Sequence, residues 1–233
     1  ALLPLLFASP ALSAQAAATA STAQRLAAYS ERVARLEDTD AVENLQAMFG
    51  FYFDKGLWGE AASLFARSGS FEYGQSGVYI GPERIRRAML LFGPEGLGRG
   101  YLNNHMMLQP VISVAADGRT AKGRFQGPVQ LAEPGQNGIW GVGIYENEYR
   151  KVDGRWMISK LHAYFVMYTD LQQGWGEVAW PNTRPESELP PDRPPTVVYD
   201  MYPGTITAPK HYGNPVTGAP VFAATAGVSP AQP

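Results

Sequence analysis

Residues 140–169 read Trp-Gly-Val-Gly-Ile-Tyr-Glu-Asn-Glu-Tyr-Arg-Lys-Val-Asp-Gly-Arg-Trp-Met-Ile-Ser-Lys-Leu-His-Ala-Tyr-Phe-Val-Met-Tyr-Thr. Apolar and polar residues alternate along Trp140–Lys151 and Arg155–Thr169, and Val-Asp-Gly separates the two runs. A period of two broken by Asp-Gly marks two long antiparallel strands joined by a tight turn. Upstream, His105–Ala115 and Thr120–Leu131 form a second such pair around Ala-Asp-Gly-Arg. Before Asn104 the period is helical. Leu26, Tyr29, Val33 and Leu36 share one face of a first helix. Asp38 or Thr39 caps a second, which carries Val42, Leu45, Met48, Phe49, Tyr52 and Phe53 and stops near Lys55-Gly56. Leu57–Phe65 reads as a short helix, and Ser70–Tyr73 with Val78–Ile80 as a hairpin around Gly-Gln-Ser-Gly. Gly81-Pro82-Glu83 opens another helix, since a first-turn proline is harmless. The order predicts an α+β fold in which helices cross the concave face of a curved antiparallel sheet. The cone so formed is where a small-molecule pocket belongs.

The composition narrows the chemistry. At 233 residues and 45% hydrophobic, the chain has enough apolar surface for one sizeable core, and 12% aromatics suit a pocket for a flat ligand. A net charge of -2 argues against nucleic acid as the main partner, because phosphate neutralisation needs a basic surplus. With no cysteine there is no thiolate catalysis, disulfide or cysteine-ligated metal, and three histidines leave little for a transition-metal site. Phosphate-loop, dinucleotide and His-Glu-x-x-His motifs are missing. The expectation is a chemistry without cofactor, run by oxygen acids, Tyr, Arg, Lys and the three His.

The two ends differ from the body. Ala-Leu-Leu-Pro-Leu-Leu-Phe-Ala at the start, with Ala14-Gln15-Ala16 fitting the small-x-small cleavage rule, reads as a secretory-signal remnant over 1–16 and predicts a periplasmic or secreted destination. Residues 17–37 are an N-terminal helical extension and 38–181 the α+β domain. Twelve of the 19 prolines lie from Pro181 onward, which rules out a helix or central strand there. Because Val197-Val198-Tyr199, Met201-Tyr202 and Lys210–Pro215 interrupt the prolines with apolar and aromatic groups, 182–233 reads as an extended strap followed by a loose end.

Asp38-Thr-Asp-Ala-Val with Phe51-Tyr-Phe-Asp-Lys-Gly-Leu-Trp58, Gly81-Pro82-Glu83 with Ile85-Arg86, Asp117-Gly-Arg-Thr-Ala121 and Tyr149-Arg-Lys-Val-Asp-Gly-Arg-Trp156 together resemble the nuclear transport factor 2-like, SnoaL-like family over roughly 38–170. The resemblance implies a cone-shaped α+β barrel, commonly dimeric or trimeric, in a family whose members include dehydratases, isomerases, cyclases and binding proteins. The tail His211-Tyr-Gly-Asn-Pro-Val-Thr-Gly218, with Gln173-Gly174-Trp175, is similar to a bacterial subgroup that includes the sphingomonad diarylpropane and phenylcoumaran lyases. That likeness implies cofactor-free release of formaldehyde from lignin-derived aromatic dimers through a quinone methide.

His105, at the entrance of an apolar strand, stands where family dehydratases place a pocket histidine, and can act as acid or base near neutral pH. The structural alternative is a strand-entrance histidine bonded to backbone. Tyr52 and Asp54 close the long helix, where Asp54 either shuttles protons or caps the junction before Gly56. Alternation sets Lys122, Arg124 and Gln126 against Gly123, Phe125 and Gly127, and leaves open which set faces the cone. An inward Arg124 would steady a phenolate; an outward one is a solvated charge. Tyr145, Asn147 and Tyr149 are expected inward, because Glu146 and Glu148 read as the solvent face. Tyr101 at the mouth, His162 with Tyr164 on the last strand, Trp175 and the strap residue His211 complete the candidate substrate contacts. The reading favoured is a cofactor-free carbon–carbon lyase on a bulky aromatic molecule, in a homodimer or homotrimer. The alternatives are a dehydratase or isomerase of a steroid- or polyketide-like substrate, and a periplasmic binding domain without turnover.

Overall fold

A computed structural model describes residues 21–136, 138–204, 208–221 and 229–230. The signal-like segment 1–16 lies outside them, as does most of the expected loose end. Residues 1–38 and 39–233 form two separate units. No helix among the described residues is long and apolar enough to cross a membrane.

The described part of the first unit is the start of helix α1 (Thr22–Asp54). Ser21 caps it reciprocally: the Gln24 amide donates to Ser21 Oγ at 3.2 Å and the Ser21 amide to Gln24 Oε1 at 2.8 Å. The break expected at Asp38-Thr39 does not occur. Neither glycine nor proline lies between Thr22 and Phe49, so nothing ends the first helix where a second could be capped. Leu26, Tyr29, Val33 and Leu36 are all more than half exposed.

In the second unit, α1 buries Val42, Leu45, Phe49 and Phe53, the three-to-four spacing of one helical face. There follow α2 (Trp58–Ser63), β1 (Phe65–Tyr73), β2 (Val78–Ile80), α3 (Pro82–Met89), β3 (Leu102–His105), β4 (Leu108–Val114), β5 (Thr120–Ala132), β6 (Ile139–Val152) and β7 (Arg155–Asp170). The sheet order is β2-β1-β7-β6-β5-β3, with β4 also on β5. The sheet is mixed rather than antiparallel throughout, because β1 runs parallel to β7. Phe65 opens β1 instead of closing a helix. The strand expected over 105–115 is two, both paired with β5; a register shift lies between Leu108 and Val111, where Gln109 has φ 51° and Pro110 has no N–H to donate. Between β6 and β7, Asp153 and Gly154 take φ 48° and 78°, the pair of positive values that a two-residue turn matched to strand twist requires.

Alternation then sorts the side chains. Phe125 of β5, Tyr145 and Tyr149 of β6, and Leu161 and Ala163 of β7 face the helices and join Phe49 and Phe53 in one core. Each such buried aromatic contributes about 1.5–3 kcal/mol by leaving water. The opposite face of β6 and β7 is covered too. Residues 178–204 and 208–211 cross it, with the Tyr202 amide donating to the Val166 carbonyl at 2.7 Å and the Tyr199 hydroxyl accepting from the Phe165 amide at 2.7 Å. Tyr164, Tyr199, Met201 and Ala208 pack there as a second, smaller core. Farther on, β8 (Val197–Val198) pairs with β9 (Ser229–Pro230).

Candidate active site

Asp54 is the last residue of α1 and His105 the last of β3, and the ends of the two elements are bonded together. Asp54 Oδ1 accepts the His105 backbone N–H at 2.6 Å and lies 3.5 Å from His105 Nδ1. Asn103 Nδ2 adds a second clamp by donating to the Phe53 carbonyl at 3.0 Å, one of the carbonyls a helix end leaves free. The Phe53 ring stands edge-on to the imidazole, centroids 4.9 Å apart at 78°. Both side chains are about nine-tenths buried, and Nδ1 makes no hydrogen bond, the carboxylate at 3.5 Å being within ion-pair distance only. The carboxylate contact at Nδ1 sits behind a ring that lines the cavity. In such dyads the orienting contact shortens once substrate is bound.

That cavity sits between α1 and the inner face of the sheet. Phe49, Phe53, Phe71, Leu161 and Phe165 wall it, Gly127 and Gly143 lie along the sheet side, Tyr73, Tyr145 and Tyr168 bring hydroxyls, and Phe92 is half exposed at the rim. The space left free inside is about 30 Å³, room for one water and below the range of small-molecule sites. Burial raises Tyr73, Tyr145 and Tyr168 above the usual phenol range, so all three are hydrogen-bond donors at neutral pH. A larger groove of about 760 Å³, between Trp180 and Tyr202, contains no histidine. The acid–base pair decides for the cone.

The structure thus brings His105, Asp54 and Tyr145 together and separates the rest. Arg124 is on the far face of β5, bonded to Glu146 and, at 3.1 Å, to the Pro209 carbonyl, so it cannot steady a substrate in the cone. The reason is parity: Gly123, Phe125 and Gly127 take the inner face. His162 and Tyr164 share that far side, stacked at 3.8 Å with His162 1% exposed, and His211 Nδ1 meets Glu146 Oε2 there at 3.1 Å. Glu146 is thereby a partner for the strap and not a solvent-face residue. Asn147 does face inward, but Nδ2 donates to Gln46 Oε1 at 2.9 Å and Oδ1 accepts the His162 amide at 3.1 Å, which commits it to structure. Tyr52 packs against the core outside the cavity lining. Tyr101 is 46% and Trp175 56% exposed, away from the cavity. Sequence reasoning missed Phe71, Tyr73, Phe92, Phe165 and Tyr168. Plain alternation along β7 puts Tyr168 with His162 and Tyr164 on the far face, and the register shift opposite Val142 and Gly143, which skips Val166, returns it to the cone. Tyr73 arrives through the non-local parallel pairing of β1.

Known proteins agree with this geometry. A protein named as a candidate scytalone dehydratase from Novosphingobium aromaticivorans DSM 12444 superposes with TM-score 0.53 at 18% identity, covering 67% of this chain and 97% of its own. LinA superposes with TM-score 0.51 at 22% identity over 60% of this chain and 94% of its own. Hexachlorocyclohexane dehydrochlorinase LinA-type3 from Novosphingobium barchaimii LL02 gives TM-score 0.51 at 24% identity, with the same coverage. At these identities the likeness is one of fold. No curated protein matches the chain by sequence. The family model described as the SnoaL-like domain matches residues 34–162, more than half the chain and the segment that supplies both Asp54 and His105, and the protein belongs to that family.

Proposed function

We propose that the protein is a cofactor-free lyase in which His105, oriented by Asp54, moves protons on an aromatic substrate held in the cone. The observation that carries this reading is the Nδ1–carboxylate contact of 3.5 Å at an imidazole that lines an aromatic cavity. A binding domain without turnover has no use for such a dyad turned into its pocket. The named activities of the two fold neighbours, dehydratase and dehydrochlorinase, are eliminations that begin with proton transfer, which supports the same class here.

Within that class the substrate proposed is a lignin-derived 1,2-diarylpropane-1,3-diol or phenylcoumaran carrying a para phenol. For the diol, protonated His105 gives its proton to the benzylic hydroxyl, the C1–O bond breaks, and water leaves as the phenolate becomes a quinone methide. Neutral Nε2 then takes the proton of the terminal hydroxymethyl group. The C2–C3 bond breaks, formaldehyde departs, and the electron pair forms the C1=C2 double bond while restoring the phenolate. The products are a stilbene, formaldehyde and water, and His105 ends protonated as it began. Asp54 stabilises the imidazolium state. Entry of two rings requires Phe92 to swing from the rim, since the interior as it stands holds one water. A dehydratase reading uses the same dyad and stops after the loss of water. Export to the periplasm and a dimer or trimer belong to the same proposal, the first resting on Ala14-Gln15-Ala16 and the second on the family resemblance.

Replacing His105 with Ala removes the proton-transfer group and is expected to lower turnover by about a hundredfold or more. Rates within a few-fold of wild type, in a variant that still binds stilbene, would take His105 out of the mechanism.

A further inference from the structure

Gly127 of β5 and Gly143 of β6 face each other in the strand ladder and both line the cavity, so the sheet has no side chain at the middle of the site. Glycine inside a strand weakens it and often marks close approach by a ligand or another group. The space above this floor is used by two rings. A Cβ on Gly127 would stand 2.5 Å from Tyr145 Cε2, and one on Gly141 would stand 2.6 Å from Tyr168 Cε1. Those glycines let the two tyrosines lie across the sheet. At Gly143 the nearest atoms to a Cβ would be the Tyr164 carbonyl at 3.4 Å and Phe165 Cδ1 at 3.8 Å, and the missing side chain leaves open floor.

The hydroxyls supply an independent observation. Tyr145 is 7% exposed, and neither its hydroxyl nor that of Tyr168 bonds to a described residue, although both residues line the cavity. Three other buried phenols are satisfied: Tyr79 donates to the Leu189 carbonyl, Tyr149 to Gln46 Oε1, and Tyr199 accepts from the Phe165 amide. A buried polar group without a partner costs free energy unless something in the cavity bonds to it. Both phenols are kept protonated, first by burial and next, for Tyr145, by the Asp54 carboxylate, so each offers an O–H.

We propose that the Tyr145 and Tyr168 hydroxyls hold the oxygen of a phenol or phenolate ring lying over the open floor at Gly143, which makes the para-hydroxylated aromatic ring the feature this cavity selects. The assignment rests on the reading of the cone as the reaction site, and replaces Arg124 with two neutral donors. Donors fixed in a dry site stabilise a developing or resident oxyanion more strongly than the same groups in water.

The test is equilibrium binding of trans-4-hydroxystilbene and of unsubstituted trans-stilbene to the full chain. Wild type is expected to prefer the hydroxylated compound by about tenfold or more, and the Tyr145→Phe, Tyr168→Phe double variant to lose most of that preference while binding stilbene as before. The stilbene arm reports that the variant is folded. His105→Ala is expected to keep the preference. Absence of the preference in wild type, including no binding of either compound, overturns the assignment, as does its survival in the double variant. A phenol preference without turnover of the diol refutes the lyase and leaves the seat standing. Turnover with an unchanged KM in the double variant refutes the seat and leaves the lyase.

Discussion

Asp54 does two things with one oxygen: it accepts the backbone N–H of His105 and sits behind the ring of the same residue. Asparagine in its place keeps an acceptor for the backbone but no longer stabilises an imidazolium, so Asp54→Asn is expected to retain stilbene binding and lose turnover by about a hundredfold or more. Steady-state rates beside a binding isotherm separate the two roles; equal losses in both would make Asp54 structural. Asp54 was legible in the sequence because it ends a helix; His105 was singled out as the opening residue of a strand, and it ends β3 at the same rim instead. Arg124 was not. Alternation says which residues share a face but not which way the face points, and polarity normally settles that. Here both faces are covered, one by α1 and the other by the strap, so Arg124 and His162 are shielded without being in the cone.

At the scale of the strand, the glycines of β5 and β6 are unequal. Gly127→Ala drives a methyl into the Tyr145 ring and is expected to cost about 1–3 kcal/mol, whereas Gly143→Ala meets its neighbours at ordinary contact distance and is expected to cost less than about 1 kcal/mol. Denaturant unfolding of both variants tests this, and the reverse order would mean that the two positions have been misassigned. The long hairpin of β6 and β7 could be read directly, since alternation and Asp-Gly are local signals. The helix break at Asp38-Thr39 and the uninterrupted strand at 105–115 were misread for different reasons. A start signal such as Asp-Thr-Asp acts only where the previous helix has stopped, and the break between β3 and β4 falls at Met106-Met107, which carries no glycine or proline to announce it.

Over the whole second unit, the strap over the sheet is tied to buried ionisable groups. Both Glu72 oxygens accept bonds from Thr196, at 2.7 and 2.8 Å, and Oε2 lies 3.4 Å from His162 Nδ1. Burial, with a smaller push from Lys160, lowers His162 to about 3. The unfolded chain therefore takes up a proton near pH 6.5 that the native protein refuses until about pH 3, so the stability from this group is full above about 6.5 and is lost as pH falls through that window. Burial raises Glu72 against the Thr196 bonds, with the opposite slope: its native state holds a proton that the unfolded chain releases above about 4.5. Unfolding free energies at pH 7, 6, 5 and 4 are expected to fall more steeply with acidification in wild type than in His162→Phe. Parallel curves would show that His162 does not titrate on unfolding. None of this was visible in the sequence, because Glu72, His162 and Thr196 come together only when β1 pairs with β7 and the strap crosses both.

The activity proposed for the Asp54–His105 pair is a deformylating elimination. The most direct measurement follows stilbene absorbance and formaldehyde together as the full chain acts on a para-hydroxylated 1,2-diarylpropane-1,3-diol, with a chelator present and no cofactor added, beside His105→Ala. The account expects equimolar stilbene and formaldehyde from wild type and at least about a hundredfold less of both from the variant. No product from wild type, or equal rates from the two proteins, would contradict it.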